Sequence, residues 1–183
     1  MRVISGSAKG IRLASVPGKS TRPITDQVKE ALFNILGPSI YEKTMLDLFG
    51  GTGAVGIEAL SRGAKYVRFI DTQSQAIETI KTNLIQTNLS EKAKVIRQDA
   101  FKVLASTPDC TFDYIYIAPP QYKDLWARSL RLLDQKIDWL DRAGWGIIQI
   151  DPLEYQEIEL ANLVMFDQRR YGSTQLVFYE RTG

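Results

Sequence analysis

The sequence of 183 residues predicts an α/β fold in which helices cover a mixed, seven-stranded sheet. From residue 44 onward, short apolar runs typical of strands alternate with segments typical of helices, which indicates parallel strands with helices on both faces. The last two strand candidates are separated only by a segment around Arg169-Arg170-Tyr171-Gly172-Ser173. This segment is too short for a crossover helix, so we expect the last strand to be antiparallel to its neighbour.

The first 38 residues are expected to form a basic extension (1–38) of a single domain whose core is 44–183. Apolar and polar residues alternate from Arg2 to Leu13 around two glycines, which predicts a small β-hairpin with a sheet face open to a ligand. Thr25 then caps a helix with apolar residues at i, i+3, i+4 and i+7, and Gly37-Pro38 ends it.

The elements of the core follow in order along the chain. The strand candidates are 44–49, 66–71, 93–99, 112–118, 145–150, 163–167 and 174–181. The helix candidates are 53–63, 73–88, 100–106, 122–135 and a short segment near 153–160. A parallel sheet that ends in an antiparallel hairpin is the layout of Rossmann-like class I methyltransferases, which use S-adenosylmethionine (SAM). The six-stranded parallel sheet of dinucleotide-binding domains has a different layout.

A glycine-rich turn follows the first core strand. The run Thr44 to Phe49 leads into Gly50-Gly51-Thr52-Gly53-Ala54-Val55-Gly56, and the next strand ends in Asp71. Glycines in such a turn allow positive φ and a close approach of backbone N–H groups to a ligand. An acid at the tip of the second strand can accept hydrogen bonds from two ribose hydroxyls. This combination predicts a site for a nucleoside-containing cofactor.

Asp47, within the first core strand, favours SAM as that cofactor. A carboxylate repels a pyrophosphate but attracts the cationic amino group of SAM. Asp99 ends the third strand, where it can accept the adenine amino group, cap the following helix, or do both. The predicted cofactor site comprises Asp47, Phe49, Gly51, Gly53, Asp71, Asp99 and Ala100.

The fourth strand ends in Ala118-Pro119-Pro120-Gln121-Tyr122. The two prolines remove backbone donors and restrict the chain, which leaves the carbonyls of Ala118 and Pro119 available to hold an amino group. Tyr122 offers a ring on which a base can stack. A rigid turn and a half-buried helix residue are the structural alternatives. Beside a SAM-like pocket, we interpret these five residues as the catalytic segment.

Charge is unevenly distributed along the chain. The first 30 residues carry six basic side chains against two acidic ones, whereas the whole chain has a net charge of +2. Such a basic extension is typical of contacts with a phosphate backbone, although a solvated surface without a partner has the same composition. The predicted RNA contacts are Arg2, Lys9, Arg12, Lys19, Arg22 and Lys29.

Composition excludes several classes of site. The chain has no histidine and one cysteine, Cys110, which excludes His-dependent triads, the common zinc sites and a disulfide framework. We therefore expect no metal. No apolar run is long enough to cross a bilayer and the N-terminus has no signal-peptide core, so we expect a cytoplasmic protein without a membrane partner.

Two long motifs resemble the RsmD family of bacterial small-subunit rRNA (guanine-N2)-methyltransferases. Residues 22–36, from Arg22-Pro23-Ile24-Thr25-Asp26 to Ile35-Leu36, are similar to the N-terminal signature of that family, and Ile4 to Leu13 to its opening hairpin. Residues 47–64, from Asp47-Leu48-Phe49-Gly50-Gly51 to Gly63-Ala64, resemble its cofactor motif nearly residue for residue. The family motif at the end of the fourth strand is Asp or Asn, Pro, Pro, then Phe or Tyr. This chain has Ala118 at the first position, and its aromatic residue, Tyr122, is one position late.

The resemblance implies methyl transfer from SAM to the exocyclic N2 of a flipped guanine in 16S rRNA or the small ribosomal subunit. Without Asp or Asn at position 118, the backbone carbonyls and the amide oxygen of Gln121 are the groups left to orient the amine. Two alternatives stay open. One is a protein that binds SAM and RNA with little or no catalysis, suggested by Ala118. The other is an NAD-type oxidoreductase, suggested only by the G-x-G-x-x-G pattern of residues 51–56.

Overall fold

A computed structural model describes residues 1–18 and 23–183, in which the strands form one seven-stranded sheet. The strands are β1 (Thr44–Asp47), β2 (Tyr66–Asp71), β3 (Ala93–Arg97), β4 (Phe112–Ile117), β5 (Leu140–Ile150), β6 (Leu163–Tyr171) and β7 (Thr174–Arg181). Their order across the sheet is β3-β2-β1-β4-β5-β7-β6. β7 is antiparallel to both β5 and β6, and the other neighbouring pairs are parallel. The predicted layout is confirmed.

Five α-helices pack on this sheet in the described part of the chain. They are α1 (Asp26–Leu36), α2 (Ala54–Ser61), α3 (Ser74–Gln86), α4 (Ala100–Ala105) and α5 (Leu125–Gln135). α1 begins as predicted, because the Thr25 side chain accepts a hydrogen bond from the Val28 amide. α1, α2 and α3 contribute to the hydrophobic core on one face of the sheet, whereas α4 and α5 contribute to the core on the other.

Several predicted boundaries are wrong, among them the following three. The helix predicted near 153–160 is a single 3₁₀ turn, Pro152–Glu154, after which the chain is irregular and packs Tyr155 against the core. α5 starts later than predicted because Tyr122 and Asp124 have positive φ angles of 60° and 53°, which a right-handed helix cannot contain. β5 starts earlier than predicted, at Leu140.

The N-terminal segment is a docked loop with a single β-bridge, between Arg2 and Arg12, rather than a hairpin with an open sheet face. Val3 and Ala8 are buried against the core. The Ser61 side chain, at the end of α2, accepts a hydrogen bond from the Ala8 amide (2.9 Å). Gly6 has a φ of +87°, and a Cβ there would lie 1.8 Å from the Ser61 carbonyl oxygen, so the loop requires glycine.

Candidate functional site

A cavity of about 670 Å³ opens at the carboxyl ends of the parallel strands. This is where ligands bind in open α/β sheets. The glycine turn, the start of α4, the segment after β4 and the end of β5 line it, together with Ile24 and Thr174. Among the described residues, no group of acidic or cysteine side chains is arranged to hold a metal ion. None of the described helices is both long and apolar enough to cross a membrane.

The glycine turn has the conformation that its sequence predicts. Gly51 and Gly53 have φ angles of +56° and +78°, and the Gly53 amide donates to the Gly50 carbonyl (2.7 Å). Gly51 lines the cavity, whereas Gly53 lies behind it at the start of α2. A Cβ on Gly53 would lie 3.2 Å from Ile57, so this glycine also permits close packing of the helix. Gly51 is thus placed to contact a ligand, and Gly53 shapes the turn.

Asp71 joins the glycine turn to the end of β2. Its Oδ2 accepts a hydrogen bond from the Gly51 amide and its Oδ1 accepts one from the Gln73 amide, each 2.9 Å long. Each carboxylate oxygen can accept a further hydrogen bond. Asp71 therefore stabilises the turn and retains acceptor capacity on a side chain that lines the cavity.

Asp47 is a buried carboxylate in the cavity wall, 1% exposed. Its Oδ1 has no hydrogen-bond partner. Burial, and then repulsion from Asp71, raise the pKa of Asp47 to about 7, although the Phe49 and Gly56 amides lower it in part. A buried carboxylate oxygen without a partner is costly, and a cationic group that reached Oδ1 from the cavity would supply the missing contact. This is the feature expected of a site for the SAM amino group.

Asp99 caps α4 and also lines the cavity. Its Oδ1 accepts hydrogen bonds from the Phe101 and Lys102 amides, at 2.8 and 3.0 Å. The two roles expected of this residue are therefore compatible, because Oδ2 is not used by the cap. Phe49 and Ala100 line the cavity together with Asp99. The ring centroid of Phe49 lies 6.1 Å from that of Phe101.

The segment after β4 is only partly arranged as predicted. Ala118, Pro119, Pro120 and Gln121 line the cavity. Tyr122 does not line it: the side chain is 67% exposed, and its hydroxyl donates to Asp151 Oδ2 (2.8 Å). The prediction that Tyr122 forms the stacking surface is therefore wrong for this conformation.

The predicted RNA contacts separate into three groups. Arg2, Lys9 and Arg12 are exposed on the N-terminal loop, and Arg2 and Arg12 border a second, shallower cavity of about 550 Å³. Lys19 and Arg22 lie outside the described residues. The prediction for Lys29 is wrong, because this side chain is fully buried.

Lys29 belongs to a buried charge cluster that attaches the N-terminal loop to α2. Its Nζ lies 3.5 Å from Glu58 Oε2 and donates to the Arg2 carbonyl at 2.5 Å. Burial lowers the pKa of Lys29 even though Glu58 raises it. Glu58 also accepts from the Ile4 amide and pairs with Arg62. The function of Lys29 is therefore to hold the loop in place.

Sequence reasoning missed several polar residues of the cavity, among them Tyr116 on β4 and Gln149 on β5. The Tyr116 hydroxyl donates a hydrogen bond to Gln149 Oε1. Both residues lie in apolar strand runs, where a tyrosine or a glutamine has no motif around it. Only the pairing of β4 with β5 brings the two side chains together.

Comparison with known proteins gives consistent matches over nearly the whole chain. The model of a family described as conserved hypothetical protein 95 matches residues 1–180. A Bacillus subtilis protein named "Putative rRNA methyltransferase YlbH" is 41% identical, with all of both chains covered. "Ribosomal RNA small subunit methyltransferase D" of Escherichia coli (strain K12) is 33% identical over 88% of this chain and 76% of its own.

Solved structures agree with these relatives. An Escherichia coli structure described as "Putative methyltransferase yhhF" matches with a TM-score of 0.87 and 29% identity, covering 99% of this chain and 97% of the other. A Haemophilus influenzae structure described as "putative methylase HI0767" matches with a TM-score of 0.82 and 29% identity, covering 100% and 98%. The N-terminal loop, the glycine turn and the C-terminal hairpin thus all fall within the matched regions.

Proposed function

We propose that this chain is a SAM-dependent rRNA methyltransferase. The chain belongs to the family described as conserved hypothetical protein 95, and its relatives include the small-subunit rRNA methyltransferases D. The methyl acceptor that we propose is the exocyclic N2 of a guanine in 16S rRNA or in the small ribosomal subunit. The enzyme would act in the cytoplasm, where these subunits are assembled. The names of the relatives support the RNA substrate, and the geometry of the cavity supports the cofactor.

The observation that carries this proposal is the buried Asp47 carboxylate, whose Oδ1 has no partner in the wall of the cavity. Phosphate groups would be repelled by the carboxylates of Asp47 and Asp71, which lie close enough for Asp71 to raise the pKa of Asp47. An ammonium group would be attracted. The antiparallel β7 between β5 and β6 also differs from the sheet of dinucleotide-binding domains. Both observations argue against an NAD-type oxidoreductase.

The residues of the cavity fit the parts of SAM. Asp47 would pair with the amino group, Asp71 would accept from the ribose hydroxyls, and Asp99 would accept from the adenine amine. Gly51, whose amide is held by Asp71, lets the cofactor approach the backbone. Bound SAM supplies an electrophilic methyl group on a sulfonium, so the main task of the protein is to align the acceptor nitrogen with it.

The segment from Ala118 to Gln121 would hold the acceptor amine. The lone pair of guanine N2 is delocalised into the ring, which makes it a poor nucleophile. Hydrogen bonds from the amine to the Ala118 and Pro119 carbonyls would orient the nitrogen and reduce that delocalisation. With SAM bound, the methyl carbon would leave the sulfur as it joins N2, and the surplus proton of the amine would pass to water. No charged base is required, and this cavity provides no histidine.

The proposal is tested by incubating the purified protein with undermethylated small ribosomal subunits and SAM labelled in the methyl group. We expect label in the RNA, and nucleoside digestion should recover it as N2-methylguanosine. Fully methylated subunits serve as the control and should take up no label. Label in a different nucleoside would refute the choice of guanine N2. SAM binding without transfer would support the non-catalytic alternative, and the absence of SAM binding in calorimetry would refute the proposal as a whole.

A further inference from the structure

Four polar side chains form a row across the floor of the cavity. Asp47, Tyr116, Gln149 and Thr174 come from the neighbouring strands β1, β4, β5 and β7, and all four line the cavity. They lie on the same face of the sheet as Met45, Ile147 and Leu176, because side chains alternate along each strand. With strands about 4.8 Å apart, the row spans about 14 Å across the strands, and it runs diagonally because Tyr116 lies opposite Ile147 and Gln149 lies opposite Leu176. This length exceeds what the amino acid end of the cofactor needs.

The two ends of this row differ in charge. The carboxylates of Asp47, Asp71 and Asp99 lie at one end, where the proposed function places the cofactor. Beyond Tyr116, the row continues with an amide and a hydroxyl and contains no acidic side chain. Ala118 and Pro119 line the cavity at the end of the same strand, β4. Beyond Tyr116 the row itself is uncharged, and Lys123, two residues after Gln121, also lines the cavity. A row of this kind is suited to a neutral, planar group such as a nucleic acid base.

Gln149 is the residue at this end whose orientation is determined by a neighbour. The buried Tyr116 hydroxyl donates to Gln149 Oε1. Burial, and then the nearby Asp47 carboxylate, raise the pKa of Tyr116 well above its usual range, so the hydroxyl keeps its proton and remains the donor. The Tyr116 hydroxyl thereby determines which end of the Gln149 amide faces it, and the Nε2 amino group is left to donate. Nε2 has no hydrogen-bond partner among the described residues and is not enclosed by protein atoms.

We propose that Gln149, oriented by Tyr116, donates a hydrogen bond from Nε2 to the O6 carbonyl of the target guanine and so determines the choice of base. This inference rests on the proposed function, because it identifies the group that reads the base in the same cavity. Guanine presents an acceptor at O6, whereas adenine presents a donor at N6. A fixed donor at position 149 would therefore favour guanine and disfavour adenine. Tyr116 is a positioning residue that acts through Gln149.

This arrangement also explains how the protein could transfer a methyl group with alanine, and not Asp or Asn, at position 118. A base that is held at O6 by Gln149 needs fewer contacts at its amine. The carbonyls at the end of β4 then only have to complete the alignment of N2. The recognition of the base and the orientation of its nucleophile are thus assigned to two neighbouring strands, β5 and β4.

The test compares Gln149→Met, which removes the donor with little change in volume, and Gln149→Glu, which replaces the donor with an acceptor. Single-turnover rates are measured on undermethylated small subunits at saturating SAM. We expect Gln149→Met to lower the rate about ten- to a hundredfold, the value of one good hydrogen bond in the transition state. Gln149→Glu should be slower still, since a carboxylate repels O6. SAM affinity should stay close to that of the wild type. The melting temperature of Gln149→Met should fall by a few degrees, because this variant leaves the buried Tyr116 hydroxyl without its acceptor, whereas Gln149→Glu keeps an acceptor there.

Gln86→Met, on the exposed end of α3, is the matched control and should leave the rate unchanged. Tyr116→Phe should lower the rate several-fold in the wild-type background and have no further effect in Gln149→Met, since Tyr116 acts through Gln149. If Gln149→Glu is as fast as the wild type, position 149 does not act as a donor and the inference is wrong. An unchanged rate in Gln149→Met would also overturn it. Either result leaves the proposed function intact, because the wild-type protein still methylates guanine.

Discussion

Replacing Asp47 with asparagine should stabilise the cofactor-free protein and weaken its binding of SAM. Folding moves the pKa of this carboxyl from 3.8 to about 7. Since one pKa unit corresponds to about 1.36 kcal/mol, ionised Asp47 costs the folded state about 4 kcal/mol. Asparagine removes the charge but leaves a buried amide group without a partner, which costs about 1–3 kcal/mol. The net gain for Asp47→Asn at pH 8 should therefore be about 1–3 kcal/mol.

The sign of the pH dependence follows from the direction of the shift. The folded state binds the Asp47 proton more tightly than the unfolded state, so the penalty is absent below pH 3.8 and grows until the pH reaches about 7. The advantage of Asp47→Asn should accordingly shrink by about 1.4 kcal/mol between pH 8 and pH 6. Urea unfolding of both proteins at the two pH values, without SAM, measures this difference.

Asp47→Asn should lower the affinity for SAM, although it raises the stability of the SAM-free protein. A charge-assisted contact with the amino group is worth about 1.5–3 kcal/mol, so calorimetry at pH 8 should show binding ten- to a hundredfold weaker in Asp47→Asn. Wild-type affinity should fall as the pH drops below about 7, because SAM requires the ionised carboxylate, whereas the variant should lack this dependence. Equal SAM affinity in the two proteins, or a variant less stable than the wild type at both pH values, would refute the reasoning.

Four further predictions concern the rest of the chain. Asp71→Ala should weaken SAM binding about ten- to a hundredfold in calorimetry while the circular dichroism spectrum is retained, and unchanged affinity would assign it a structural role. Charge reversal of Lys9 and Arg12 should lower the slope of log RNA affinity against log salt by about 0.7–0.9 per contact; an unchanged slope would exclude the N-terminal loop as an RNA contact. Ala118→Asn should change the single-turnover rate by less than about tenfold, and a larger increase would show that the missing acceptor limits catalysis. Lys29→Met should destabilise the protein by about 3 kcal/mol in urea unfolding, since it leaves the buried Glu58 with Arg62 as its remaining cation; a loss of less than about 1 kcal/mol would contradict the proposed anchoring role.

The cofactor end of the cavity was predictable from the sequence because its residues lie in short, continuous segments. Asp47 and Gly51 belong to one strand and the turn that follows it, and Asp71 ends the next strand. The residue types and their spacing predict the geometry of this end of the cavity, since the carboxyl ends of neighbouring parallel strands meet at one edge of the sheet. The antiparallel pairing of β6 with β7 was predictable for a similar reason, namely the short connection between them.

The errors arose where a side chain depends on a partner far away in the chain. Lys29 was predicted to contact RNA because its charge is visible in the sequence, whereas its burial depends on Glu58. The exposed position of Tyr122 accompanies a hydrogen bond to Asp151, on the segment after β5. The prediction of a helix near 153–160 is a different case, since the cause is local: Pro152 starts a 3₁₀ turn that is capped by Asp151. Periodicity within one segment contains none of this information.

The two ends of the cavity also differ in their energetic consequences for the protein. At the cofactor end, ionised Asp47 destabilises the fold until a cation binds, so the protein gains stability from its ligand there. At the other end, Tyr116 and Gln149 satisfy each other before any base arrives. A base that enters therefore meets an amide whose orientation is already determined, and little ordering remains to be done on binding. We infer that substitutions at Asp47 change stability and SAM affinity in opposite directions. Substitutions at Gln149 that keep an acceptor for the Tyr116 hydroxyl should change the rate of transfer and the choice of base without a large loss of stability.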